Sequence, residues 1–141
     1  MKMNRTILLI LSFIFLICCD KDEQIDGKLP DGVYIGTFQR ELVWSDSDTA
    51  NITMTFTSNQ WSGSSDIVKY PALCHGTYLI VRDTIIFENE CVWTADFAWN
   101  LILVGKYVLK ETGNNTIEFS RDYSSATTDA YVDKYKIIRQ E

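Results

Sequence analysis

Beyond Asp31 the chain alternates apolar and polar residues with a period of two. Ile52, Met54 and Phe56 fall on one face and Asn51, Thr53, Thr55 and Thr57 on the other, as in a half-buried strand. Val33 to Trp44 reads as a longer strand with Tyr34, Gly36, Phe38, Leu42 and Trp44 at even positions. The segment Trp44-Ser45-Asp46-Ser47-Asp48-Thr49 joins these two strands. Ser58-Asn59 turns the chain into a short strand around Trp61, and Ile67 to Leu73, with Pro71 inside it, is irregular. A long apolar stripe follows at odd positions, running Trp93, Ala95, Phe97, Trp99, Leu101, Leu103, Gly105, Tyr107, Leu109. It exceeds an ordinary strand, so a break is expected near Asp96 to Asn100. Thr112-Gly113-Asn114-Asn115 turns into a strand with Ile117 and Phe119, Asp122 to Thr128 reads as a polar loop, and Tyr131 to Ile138 closes the chain. The fold class is therefore all-β, with about eight short antiparallel strands joined mostly by hairpins. An up-and-down barrel is the economical closure because it leaves no exposed edge. A two-sheet sandwich is the alternative.

One hairpin can be registered from the sequence. With Arg82-Asp83 as a two-residue turn, Ile80 faces Ile85, Leu79 faces Ile86 and Tyr78 faces Phe87. The same register sets Cys74 opposite Cys91 on a non-hydrogen-bonded pair, where Cα atoms lie about 4.5 Å apart and within disulfide range. The turn asks for positive φ, which favours Asn or Gly over Arg82. A bond between Cys74 and Cys91 contributes about 3 kcal/mol by closing its loop. Two buried free thiols are the alternative.

The first residues have a different pattern. Lys2 and Arg5 precede an apolar run from Ile7 to Ile17, interrupted by Ser12. Its length of about 11 residues suits a secretory signal, whereas a membrane-spanning helix needs roughly 20. The run ends in Leu16-Ile17-Cys18-Cys19, which resembles a bacterial lipobox with Cys19 as the lipidated first mature residue. The expected organisation is a leader over 1–18, a flexible polar tether over 19–31 and one domain over 32–141. Removing the leader takes Lys2 and Arg5 away, so a chain already at −6 becomes more acidic. An acidic body lacks the basic footprint that nucleic-acid binding needs. After processing, Cys74 and Cys91 are the pair left to an oxidising compartment.

Lys69-Tyr70-Pro71-Ala72-Leu73-Cys74-His75-Gly76-Thr77-Tyr78, Cys91-Val92-Trp93-Thr94-Ala95-Asp96-Phe97 and Leu103-Val104-Gly105-Lys106-Tyr107 carry a family likeness. With the lipobox, they resemble small lipocalin-like lipoproteins of Bacteroidetes, over most of the stretch from Gly32 to Arg139. The resemblance implies an eight-stranded calycin-type barrel, a fold used for holding small apolar molecules and for docking to proteins. Lys21-Asp22-Glu23 resembles the signal that sends such lipoproteins to the outer face of the outer membrane. Where typical lipocalins open on Gly-x-Trp, this chain has Tyr34-Ile35-Gly36-Thr37-Phe38. Small barrels can be filled by their own side chains.

Signals for catalysis are sparse. His75 is the single histidine, and no Gly-x-Ser-x-Gly elbow is present. Cys74 and His75 are strand neighbours and are expected on opposite faces, which disfavours a thiolate–imidazole pair. A zinc site would need Cys74, His75, Cys91 and a carboxylate such as Glu90, without a spacing signature. Asp46-Ser47-Asp48 reads as a solvated loop, not a calcium site, because Ala50 and Asn51 do not continue the ligand pattern. Glu88, Glu90, Asp83 and Asp96 read as a charged barrel rim, although a pair of carboxylates is what glycoside chemistry uses. No catalytic residue, metal or cofactor is expected.

Four tryptophans, seven tyrosines and seven phenylalanines leave an aromatic set as the binding constellation. Its members are Trp61, Tyr78, Phe87, Trp93, Trp99 and Tyr107, each weighed against plain core packing. Trp93 and Trp99 flank the expected strand break and are the best placed to line a mouth. The partners expected are the membrane, through the N-terminal lipid, and a small apolar or glycan-like ligand. The alternative is a non-catalytic accessory module that docks to another envelope protein. Cys19→Ala should move the protein from the membrane to the soluble fraction. Fractionation of the host envelope checks this, and retention in the membrane would refute lipidation.

Overall fold

The structure, a computed structural model, describes residues 27–45, 47–113, 115–125 and 128–141. Cys19, the leader, most of the tether and Asp46 lie outside the described residues. Eight antiparallel strands pair in sequence order and close into a barrel. They are β1 (Gly32–Leu42), β2 (Thr49–Thr57), β3 (Gln60–Ser65), β4 (His75–Val81), β5 (Thr84–Phe87), β6 (Gly105–Gly113), β7 (Thr116–Ser125) and β8 (Thr128–Arg139). Pairing of β1 with β8, from Tyr34 opposite Arg139 to Leu42 opposite Tyr131, makes the closure and excludes a two-sheet sandwich.

The alternation read along the chain becomes the two faces of this wall. Ile52, Met54 and Phe56 of β2 point inward, as do Tyr34 and Phe38 of β1 and Tyr78 and Ile80 of β4. Closure brings strands very close at Gly36, where a Cβ would lie 1.9 Å from the carbonyl oxygen of Lys136 on β8. Only glycine fits that contact, so the Gly36 position in the β1 stripe is a steric requirement of closure.

The hairpin between β4 and β5 has the expected register: Tyr78 pairs with Phe87, Leu79 with Ile86 and Ile80 with Ile85. Arg82 adopts the positive φ that the turn demands, at 58°. Backbone bonds from Glu88 N to Thr77 O (2.9 Å) and Glu90 N to His75 O (3.0 Å) carry the register past the end of β5. Cys74 and Cys91 are joined in a disulfide. Their Cα atoms lie 6.4 Å apart, wider than the 4.5 Å of a regular pair. Both residues stand beyond the ladder proper, where the two backbones splay.

Three expectations are corrected. The apolar stripe from Trp93 to Leu101 is not strand: β5 leaves the wall after Phe87, and pairing resumes only at Gly105. From Trp93 to Asn100 no ladder partner is present, and Ile102 makes only an isolated bridge to Ala72, so the alternation has no pleat to act on; Trp99–Leu101 forms a single 3-10 turn instead. Trp44 does not extend the β1 stripe, because β1 ends at Leu42 and Arg40 takes the next inward position after Phe38. Asp122 to Ser125 belong to β7, with Tyr123 stacked on Tyr131 at 5.0 Å across the pair. Their polar composition reflects a two-strand extension that is wet on its exposed side.

Aromatic rings fill the interior. Phe87 contacts Trp61, Tyr78, Tyr107 and Phe119 at centroid distances of 5.6, 6.3, 5.8 and 5.2 Å. Phe119 stacks on Tyr135 at 4.5 Å, and Tyr135 meets Phe38 at 4.7 Å. At one end, where β1 begins, Leu29 is fully buried and its N–H donates to the Tyr78 hydroxyl at 3.0 Å. The Tyr34 hydroxyl donates to Pro30 O at 2.8 Å, so the last residues of the expected tether plug that end. Phe87→Ala should lower unfolding stability by about 3–5 kcal/mol, because it empties the centre of the ring cluster. Chemical denaturation measures the loss, and a change below about 1 kcal/mol would mean the interior is not packed around this ring.

Candidate functional site

The opposite end carries the longer connections: Val43 to Asp48, Asp66 to Cys74 and Glu88 to Val104. It rests on a buried charge cluster. Asp133 on β8 is 1 % exposed and stands between its two register partners, Arg40 on β1 and Arg121 on β7. Arg40 donates to both carboxylate oxygens, Nε to Oδ1 at 2.6 Å and Nη2 to Oδ2 at 2.8 Å. Arg121 Nη2 reaches Oδ2 at 3.4 Å. The guanidiniums lie over rings, Arg40 on Tyr131 at 3.9 Å and Arg121 on Tyr107 at 4.7 Å. Burial pulls the Arg40 pKa down, but the hydrogen bond and charge of Asp133 outweigh it, so the guanidinium stays charged. Burial pushes the Tyr107 and Tyr135 hydroxyls well above their ordinary value, which keeps both neutral beside the cluster.

The surplus donors hold the loop above. Arg40 Nη1 donates to Asn100 Oδ1 and Nη2 to Asn100 O, both at 2.9 Å, and Arg121 Nη1 donates to Val104 O at 2.8 Å. Ala72 N donates to Leu101 O at 2.9 Å and Leu103 N to Ala72 O at 3.3 Å, stitching the two long connections together. Lys69 contributes a second clasp, with Nζ 2.8 Å from Asp96 Oδ1 and 4.8 Å from the Phe97 ring centre. Hydrogen bonds from Lys69 and then Thr94 hold the Asp96 carboxyl at a pKa of about 2, below the usual carboxylate range. Asn89 Oδ1 accepts from Trp93 Nε1 at 2.9 Å and from Cys91 N at 3.0 Å, fixing the start of the loop.

The aromatic candidates divide into two groups. Trp61, Tyr78, Phe87 and Tyr107 meet inside the barrel and are part of its packed core. Trp93 and Trp99 lie on the loop outside, Trp93 against Phe97 at 5.5 Å and Trp99 56 % exposed. The loops of the same end also present Val43, Trp44, Val68 and Val92, with Trp44 88 % and Val92 fully exposed. Such large apolar side chains in water mark a contact surface when they gather at one end. The outer wall exposes apolar side chains as well, among them Ile35, Leu79, Val108 and Ile138, and a groove of about 360 Å³ across β1, β8, β7 and β6 adds Lys110, Glu118, Lys134 and Lys136.

Scans of protein-family models, of curated proteins and of solved structures find no match to this chain.

Two features contradict or escape the reading of strand neighbours. Cys74 and His75 were expected on opposite faces, yet the imidazole Nδ1 lies 3.4 Å from Cys74 Sγ and 3.2 Å from Cys91 Sγ. Cys74 stands outside the ladder, so the pleat does not separate it from the ring. The buried cluster went unread, although its signal is present: Arg40 and Asp133 each interrupt an inward apolar stripe, Tyr34-Gly36-Phe38 and Tyr131-Tyr135-Ile137. A charge of each sign at inward positions of two strands implies a pair once those strands are known to be neighbours. Asp133→Ala should cost about 3–5 kcal/mol by leaving two arginines against an apolar core. It should also speed amide exchange at Ala72 and Leu103. Exchange unchanged at those two amides would mean the loop does not depend on the cluster.

Proposed function

We propose that this chain is a lipid-anchored lipoprotein of the bacterial outer membrane, probing outward from the cell surface with a non-catalytic lipocalin-like barrel that docks to another envelope protein. The anchor is Cys19, read from the lipobox and the leader before it. The observation that carries the docking reading is the packed interior: Phe87 touches four other rings, and Leu29 plugs the end opposite the loops. A barrel built this way is a support for its outer surfaces more than a container.

The geometry of attachment favours the loop end as the docking surface. The chain enters the barrel at the Leu29 end, where Asp31 Oδ1 accepts from Ser58 N at 2.8 Å and Asp31 O from Arg139 Nη2 at 2.7 Å. Residues 19 to 29 can span at most about 35 Å, which limits how far that end can move from the membrane, while the loops with Trp44, Val92 and Trp99 lie at the end away from the attachment. The partner surface suited to them is apolar, with a polar rim to meet Lys69 and Asp96.

A second reading is favoured by the exposure of Trp99 on the same loop that pairs Trp93 with Phe97: a small apolar or glycan-like ligand taken by loop rings on the outside of the barrel. One set of measurements separates the two. Extracted from its host in mild detergent, the lipoprotein should migrate as part of a larger complex and, by native mass spectrometry, show no mass beyond the lipidated chain and its protein partner. The double variant Trp44→Ser/Val92→Ser should release it as the free chain. Free migration of the unaltered protein, or a complex indifferent to the double variant, would overturn docking through this end; extra bound mass would move the reading to the ligand.

A further inference from the structure

We propose that Cys74, His75 and Cys91 form a redox-gated site for a thiophilic d10 metal ion such as Zn²⁺, closed while the disulfide is intact and opened by its reduction. The three side chains bring their ligand atoms within 4.8 Å of one another. His75 Nδ1 lies 3.2 Å from Cys91 Sγ and 3.4 Å from Cys74 Sγ. Zinc bonds of about 2.3 Å to sulfur and 2.0 Å to nitrogen put the N···S edge of a tetrahedral site at about 3.5 Å. The imidazole therefore already stands where a bound ion would require it. Only the two sulfurs must part, to about 3.7 Å, a separation that follows from the same bond length. Cα atoms 6.4 Å apart accommodate that by side-chain rotation.

The hairpin keeps the thiols together after the bond is broken. Glu90 N bonds to His75 O, Glu88 N to Thr77 O and Gly63 N to Cys74 O, so both cysteines stay held by backbone from either side. Among the described residues, the His75 ring nitrogens have hydrogen-bond contacts to sulfur and to no other side chain. The ring is exposed and lines an outer-wall groove of about 220 Å³ with Ser62 and Glu90, which leaves a fourth coordination position open to solvent.

The chemistry balances simply. A dithiol reductant transfers two electrons and two protons, the Cys74–Cys91 bond breaks to give two thiols, and the dithiol closes to its own disulfide. Zn²⁺ then displaces the two thiol protons, and His75 Nδ1 donates its lone pair as the third ligand. Neither sulfur is available as a thiolate ligand while the disulfide stands, which is the gate.

The test uses the full chain in detergent micelles with Cys18→Ser and Cys19→Ser, so that Cys74 and Cys91 are its only thiols. After reduction by a phosphine and its removal, Zn²⁺ is titrated, and bound metal and thiol alkylation are measured. The expected result is one Zn²⁺ per reduced chain with both thiols shielded, and none on the oxidised chain. His75→Ala should weaken binding by at least about tenfold, and His75→Cys, which supplies a third thiolate, should restore it. Circular dichroism, run in parallel, reports whether each reduced variant keeps its sheet; a reduced chain that folds only with Zn²⁺ also supports the site. The proposal is overturned if the folded reduced chain retains no stoichiometric metal, or if His75→Ala binds as tightly as the unaltered sequence.

Discussion

Closure of β1 onto β8 is the constraint on which the rest of this protein depends. Once the wall is continuous, its inward side chains face one another across a narrow axis, and water is excluded from all of them together. The space suits rings: Phe87, Phe119, Tyr135 and Phe38 follow one another through it in tilted and stacked contacts. Gly36 shows how tight the seam is, since a single Cβ there would collide with the backbone of β8. Tyrosine recurs in this interior because its ring packs while its hydroxyl reaches polar groups at the barrel ends, as Tyr34 does with Pro30 and Tyr78 with Ser58.

The same closure explains the charge cluster. Asp133 has Arg40 on one side and Arg121 on the other only because β8 is the neighbour of both β1 and β7. Desolvating three charges is costly, and the cost is offset by close pairing and by acceptors for the remaining donors, complete for Arg40 but leaving Arg121 Nε buried without a partner among the described residues. Asn100 and Val104 supply those acceptors from the long connection between β5 and β6, so an electrostatic need of the interior becomes a mechanical hold on the loop. The loop in turn holds Trp99 and Val92 at the surface. Interior chemistry and candidate contact surface are thus linked through Asn100 and Val104.

The two ends of the barrel differ for reasons that bear on function. One is short-turned and plugged by Leu29, directly after the residues that lead from Cys19. The other is broad, stitched by Ala72 and Leu101, and apolar at its tips. The disulfide and His75 sit on the outer wall, His75 opposite Ser62 of β3, where the β4–β5 hairpin runs out of regular pairing. Departure from the ladder is what lets an imidazole reach both sulfurs.

Most of the wall was legible in the sequence because local alternation and turn chemistry act over a few residues. Ile52-Met54-Phe56 and the Arg82-Asp83 hairpin, with Cys74 opposite Cys91, needed no knowledge of distant neighbours. The strand count and the all-β class followed from the same period. Alternation failed from Trp93 to Leu101, since a stripe of side chains makes a strand only where another backbone is present to bond with it. Arg40, Arg121 and Asp133 were individually visible but unconnected, as their attraction depends on which strands lie side by side. By itself, the sequence determined the period, the turns and the cysteine register, all of them short-range. Only the tertiary structure decided the filling of the axis, the partnership of the buried charges and the placing of Trp44, Val68, Val92 and Trp99 on loops of one end, because these arise from neighbours distant along the chain that closure alone brings together.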